Sequence, residues 1–207
     1  MFEYPERYKF TEKWFDAVSE SWEQIFNGYY DPKKINDVLE IGCYEGRATI
    51  FLCEKILKEK VNYDVVDTFK GSLIESGMAG TAERLTESDF IYKNFSNNIK
   101  HHPNINFNIH KGTSQQILPS LLEKNKQYDF IYVDASHRSD DTFVDGYFAH
   151  KMLRPGGLLI FDDFSWKDPN HTHPVYSPEA GIRFFHIMYN EHYDILGEGY
   201  QISLIKK

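Results

Sequence analysis

Three aspartates and one histidine carry the chemistry in this chain that is easiest to read. Asp134 closes an apolar run at 130–134, Asp162 and Asp163 close a second run at 158–163, and His137 follows Asp134 by three positions. Runs this short and apolar read as buried strands, and neighbouring strands set their tips side by side at one rim of a sheet. Carboxylates crowded at a rim repel one another until something neutralises them. A hard divalent cation does so through oxygen ligands and keeps positions for water or substrate oxygens. Asp134, Asp162 and Asp163 are therefore candidate metal ligands. The plainer alternative is that they cap helices on a solvated rim, as strand-end aspartates often do.

A second constellation starts earlier. Residues 37–46 read Asp-Val-Leu-Glu-Ile-Gly-Cys-Tyr-Glu-Gly, a buried strand running into a turn with Gly42 and Gly46 and then into a helix. Glycines at such a turn let the backbone approach a ligand closely. The three-glycine dinucleotide fingerprint is absent, and Glu40 at the strand end suits a positive group, such as the amine or sulfonium of S-adenosylmethionine, better than a phosphate. Asp67, followed by Thr68 and Phe69, ends the next strand about 20 residues on, where an acid accepts hydrogen bonds from ribose hydroxyls. The small-residue turn Gly112, Thr113 and Ser114 ends the third strand and offers backbone amides to an adenine ring. Cys43 and Tyr44 lie inside the first turn, and Tyr44, Phe69 and Tyr132 either line the pocket or join the core.

The elements that must position these groups alternate along the chain. Strand-like runs at 37–41, 63–67, 105–110, 130–133 and 158–161 are separated by helix-forming stretches at 47–58, 82–100, 115–124 and 140–153. That alternation predicts an α/β, doubly wound, mostly parallel sheet with helices on both faces. A helix is expected at 179–193, then two close strands at 194–196 and 200–205 that form an antiparallel hairpin. Apolar residues at helical spacing predict a helix over 11–30, ending at Asp31-Pro32. The segment 71–86 is long for a connection and reads as a lid or a surface loop. All 207 residues are expected in one domain, with 1–32 packed on the core as an N-terminal helical segment.

Bulk properties exclude several classes. With 31 acidic against 23 basic residues, a net charge of −8 and no basic stripe, nucleic acid is not an expected partner. The first ten residues are charged and no run reaches the roughly 18 apolar residues of a membrane span, so a cytoplasmic protein is expected. The two cysteines, Cys43 and Cys53, have neither zinc nor disulfide-framework spacing.

The motifs at 38–46, Asp67-Thr-Phe, 130–137 and 153–163, taken in this order, resemble the class I S-adenosylmethionine-dependent methyltransferases. The chain looks closest to the small Methyltransferase domain 24 type, relatives of the catechol and caffeoyl-CoA O-methyltransferases, and the segments 178–183 and 199–202 are similar as well. The resemblance covers residues from Asp37 onward and implies a Rossmann-like seven-stranded sheet with one antiparallel C-terminal strand. It implies O-methylation of a small-molecule hydroxyl, with Glu40, Gly42, Cys43, Tyr44, Gly46, Asp67, Thr68, Phe69, Gly112, Thr113, Ser114 and Asp134 around S-adenosylmethionine. It also implies Mg2+ or another divalent cation on Asp134 and the Asp162-Asp163 pair, where such enzymes carry Asp-Asn. His137 stands where the catechol-type enzymes place the residue that takes the acceptor proton, so His137 and Asp134 are the catalytic candidates. Alternatives are a metal-independent methyltransferase, a nucleotide-dependent oxidoreductase and a cofactor-binding pseudo-enzyme. The N-terminal helix either covers the sheet or forms a homodimer interface.

Overall fold

The computed structural model describes residues 2–57, 60–71 and 89–207. Apart from Gly71, the 71–86 segment read as a lid or loop lies outside the described residues.

Seven strands form one sheet: β1 (Asp37–Ile41), β2 (Val61–Asp67), β3 (Ile105–Lys111), β4 (Tyr128–Val133), β5 (Leu153–Phe161), β6 (Tyr193–Glu198) and β7 (Ile202–Lys206). Their order is β3-β2-β1-β4-β5-β7-β6. The first five pair in parallel, and β7 inserts antiparallel between β5 and β6. This is the expected doubly wound sheet with its C-terminal hairpin. β4 lies in the middle with β1 beside it, and the chain reverses its direction of winding between β1 and β4. In open α/β sheets that switch point opens a crevice at the carboxyl ends of the strands.

Strand alternation divides the core between the two faces. Val38, Phe130, Tyr132 and Ile160 belong to one buried cluster and Leu39, Ile41, Val133 and Phe161 to the other. On the first face lie α1 (Ser19–Gln24) and α2 (Arg47–Phe51), and α3 (Phe90–Ile99) contributes Ile91 and Phe95 to the same cluster. On the second, α4 (Ser114–Glu123), α5 (Ser139–Met152) and α6 (Pro178–Tyr189) contribute Leu118, Ala149 and Phe185.

The helix expected at 11–30 is three short pieces: a 3-10 turn at Trp14–Ala17, α1, and a π turn at Ile25–Tyr29. The wide last turn keeps both Ile25 and Phe26 buried, which a regular helix shares less easily between adjacent positions. This segment covers the sheet. Trp22 is fully buried, its ring 5.5 Å from Phe130 and 4.8 Å from Tyr132, and its Nε1 donates to Gln201 Oε1 at 2.7 Å. α2 also ends in a π turn, Leu52–Ile56. The helix expected at 82–100 is described over α3, and its earlier part lies outside the described residues. β5 begins earlier than expected: Leu153 pairs with Tyr128, and residues 154–157 bulge before Leu158 meets Phe130. Pro155 disfavours helix at the residue before it, which is why α5 stops at Met152. Among the described residues no helix is long and apolar enough to cross a membrane, and Cys43 and Cys53 are buried free thiols.

Candidate active site

Each turn at the carboxyl end of the sheet is fastened to the neighbouring strand. Gly42 N–H donates to Val66 O at 2.8 Å, Gly112 N–H to Asp67 O at 3.0 Å, Asp134 N–H to Ile41 O at 2.8 Å and Asp162 N–H to Val133 O at 2.9 Å. The sequence-predicted groups therefore share one rim. Glycine is required at position 42, where φ is +83° and a Cβ would stand 2.0 Å from the Asp134 carbonyl oxygen.

Asp67 organises the first half of the rim. Its Oδ2 accepts from the N–H groups of Cys43 (2.7 Å) and Tyr44 (2.8 Å), and its Oδ1 accepts from Phe69 N–H (2.6 Å). Tyr44 and Phe69 sit in the left-handed region with φ of 51° and 54°, a conformation costing non-glycine residues about 1–2 kcal/mol, and the Asp67 carboxylate holds both turns there. Oδ2 is filled by its two donors, and Oδ1, with one donor, keeps lone-pair capacity for a sugar hydroxyl. Thr113 caps α4 in a reciprocal box with Gln116 and so sets the Gly112–Ser114 turn. Glu45, which the sequence did not single out, ties the glycine turn to the N-terminal segment through Thr11 and to α3 through Asn94.

Glu40 lies deeper than its strand-end position suggested. It shares Val38's face, beneath α2, with no solvent exposure (0 %). Its Oε2 accepts from Thr49 Oγ1 at 2.6 Å and Tyr63 OH at 2.7 Å, while Oε1 has no hydrogen-bond partner among the described residues. Burial pushes its carboxyl up to about 7 against the two hydroxyl donors.

The second half of the rim differs from the expected carboxylate trio. Asp134, His137 and Asp163 each offer a ligand atom, all within 4.8 Å of one another. His137 Nε2 is 2.6 Å from Asp163 Oδ2, and its ring packs 4.4 Å from Trp166. Asp162 is held apart: its Oδ1 accepts from Asp163 N–H at 2.7 Å and its Oδ2 accepts the Tyr132 hydroxyl. That hydroxyl also lies 3.1 Å from Asp134 Oδ2. Burial, then Asp162 and Asp163, push the Asp134 carboxyl well up, and burial and Asp163 lift Asp162 to about 6. Tyr200 OH donates to Asp163 Oδ1 at 2.5 Å. Tyr200 and Trp166 were not foreseen; Tyr200 arrives only because β7 is inserted beside β5. His171, stacked on Tyr176 at 4.3 Å and bonded to Asp168, and His173, whose Nδ1 accepts from Val175 N–H, stand outside the cluster.

A family model described as Methyltransferase domain matches residues 39–164. No curated protein is significantly similar in sequence. Among solved structures, an O-methyltransferase from Bacillus cereus in complex with SAH has 18% identity and a TM-score of 0.61, over 98% of this chain and 84% of that one. The O-methyltransferase TomG from Streptomyces achromogenes, in complex with SAM, has 17% identity and a TM-score of 0.61, over 92% and 80%. The O-methyltransferase NovP has 13% identity and a TM-score of 0.62, over 93% and 79%. At these identities the likeness establishes a shared fold.

Proposed function

Because the chain belongs to the methyltransferase-domain family, we propose that it transfers a methyl group from S-adenosylmethionine to a hydroxyl of a small molecule. The observation that carries the reading is the Asp67 carboxylate at the switch point, holding the glycine turn and the Phe69 turn together on the side where a nucleoside would lie. S-adenosylmethionine supplies a sulfonium methyl, an electrophile that needs an aligned and deprotonated acceptor. Asp67 accepts from the ribose, Gly112, Thr113 and Ser114 face the adenine, and the turn from Gly42 through Gly46 admits the amino-acid end. Thr68 and Phe69 border the ribose. Glu40, buried beneath that turn and bonded to Thr49 and Tyr63, supports the amino-acid end from below rather than through an exposed oxygen.

On the other half of the rim, His137 takes the acceptor proton on the ring nitrogen that faces away from Asp163, while the Asp163 carboxylate, 2.6 Å from Nε2, steadies the imidazolium that forms. Asp134 orients the acceptor hydroxyl. A second reading adds a divalent cation, which lowers the pKa of a bound hydroxyl. The donor set fits one: Asp134, His137 and Asp163 are close enough to share an ion. Asp162, first read as a ligand, supports them through Tyr132 instead. An imidazole among the ligands favours Mn2+, Fe2+ or Zn2+ over Mg2+. The family assignment sets aside a nucleotide-dependent oxidoreductase. We take the 207 residues as one catalytic unit, working in the cytoplasm on a small-molecule acceptor, not on nucleic acid or at a membrane, as a monomer or a homodimer.

Calorimetric titration with S-adenosylhomocysteine tests the central reading. Micromolar-order binding that is lost in Asp67→Ala supports it. No binding by the wild-type protein, with and without Mn2+, would sink it.

A further inference from the structure

One buried carboxylate stands outside the machinery described so far. Asp145 belongs to the stripe of Thr142, Asp145, Gly146 and Ala149 that α5 buries, and it has no solvent exposure (0 %). Neither of its oxygens has a hydrogen-bond partner at standard geometry among the described residues, although the Ser114 hydroxyl lies close enough to favour the ionised form. Burial outweighs Ser114 and pushes the carboxyl up to about 7, with Asp141 adding to the rise.

Ser114 is the first residue of α4 and ends the Gly112–Ser114 turn. One turn earlier on α5, Asp141 Oδ1 accepts from Gln115 Nε2 at 2.9 Å, and its Oδ2 accepts from Ser136 Oγ at 2.8 Å. Asp141 and Asp145, four residues apart on one helix face, thus meet consecutive residues of α4's first turn. Stability alone gives no reason for an acid here. An apolar side chain of similar size would occupy the space without the desolvation cost of a carboxyl that lacks a partner. The first turn of a helix, in contrast, carries N–H groups without intrahelical partners and a partial positive charge, which a carboxyl complements.

We propose that Asp145 is a positioning residue for the base-binding turn: from the buried side it holds Ser114 and the first turn of α4 in the pose in which Gly112, Thr113 and Ser114 receive the adenine ring. The proposal rests on the reading that these three residues contact adenine. Asp141, bridging Gln115 to Ser136, links the same turn to the loop that carries Asp134 and His137.

The test uses the full chain with Asp145→Leu and Asp145→Asn. Binding of S-adenosylhomocysteine is measured by calorimetry, and hydrogen exchange is followed in peptides spanning 112–118. The leucine variant is expected to melt at or above the wild-type temperature and to bind about tenfold more weakly, or 1.4 kcal/mol, with faster exchange confined to 112–118. Asparagine keeps an acceptor oxygen and the shape, and is expected to restore the affinity. A merely structural role moves the melting temperature and leaves affinity alone. Wild-type affinity in the leucine variant overturns the proposal, as does weaker binding with unchanged exchange at 112–118. If the leucine variant does not fold, Asp145→Asn against the shorter Asp145→Ser gives the same comparison, with weak binding and fast exchange expected for serine only. Failure of the wild-type protein to bind overturns the cofactor reading and this inference together; wild-type binding matched by every variant overturns the inference alone.

Discussion

Replacing Asp67 by asparagine changes one atom and bears on the whole cofactor half of the rim. Asp67 accepts three backbone hydrogen bonds of 2.6 to 2.8 Å, two on Oδ2 and one on Oδ1. An asparagine oxygen turned toward Cys43 and Tyr44 keeps two of them and points its NH2 at the Phe69 N–H; turned the other way it keeps one and faces two donors. The first orientation loses less: two bonds to a charge become neutral and one becomes a donor facing a donor. Bonds to charged groups contribute about 1.5–3 kcal/mol and neutral ones about 0.5–1.5, so two weakened bonds and one lost sum to roughly 4 kcal/mol. Asp67 is only partly buried, and solvent screening reduces the expected loss to about 2 kcal/mol. In a chain of this size that lowers the melting temperature by roughly 4–8 °C. The oxygen left for a ribose hydroxyl is already shared, so S-adenosylhomocysteine should bind about tenfold more weakly. Scanning calorimetry and titration calorimetry on one preparation read both numbers. A variant that melts within about 1 °C of wild type and binds the nucleoside equally well would refute the role given to Asp67.

Gly42→Ala should lose more than about 2 kcal/mol in urea unfolding, because it combines a φ of +83° with a Cβ 2.0 Å from the Asp134 carbonyl oxygen; an unchanged midpoint would mean that this turn moves freely. Burial raises the Glu40 carboxyl to about 7 in the folded protein. The native state then binds more protons than the unfolded chain, so stability falls as pH rises from about 4.5 to about 7. Glu40→Gln should gain relative to wild type across that window, by an order of 2–3 kcal/mol, in urea titrations at stepped pH; parallel curves would contradict the burial argument. His137→Ala should weaken Mn2+ binding at least tenfold in metal titration calorimetry while leaving S-adenosylhomocysteine affinity alone, and Asp162→Asn should weaken the metal less, the reverse order favouring the aspartate trio. Trp22→Ala should cost about 3–5 kcal/mol, read by thermal melting, because the indole is fully buried and bonded to Gln201.

The chain's own pattern determined a good deal. Apolar runs of strand length separated by helix-length stretches dictate a parallel sheet, since each run must be covered on both faces. Gly42 and the acids Asp67, Asp134, Asp162 and Asp163 were legible because a strand's last residue and the turn after it fall at the rim by geometry alone. Local order inside the long elements was less legible. The 11–30 segment breaks into 3-10, α and π pieces because its aromatic residues must fit Phe130 and Tyr132, which lie far along the chain. Side-chain direction at the rim was tertiary as well. Glu40 turns inward because strand alternation puts it on Val38's face, where Thr49 and Tyr63 happen to meet it. Asp162 and Asp163, adjacent in sequence, part company because Asp163 adopts a left-handed φ of 55° and swings to His137, while the Tyr132 hydroxyl retains Asp162. Spacing locates a carboxylate at a rim, but its partner is chosen by the pairing of strands distant in sequence. That pairing, with β7 slipped between β5 and β6, delivers Tyr200 to Asp163.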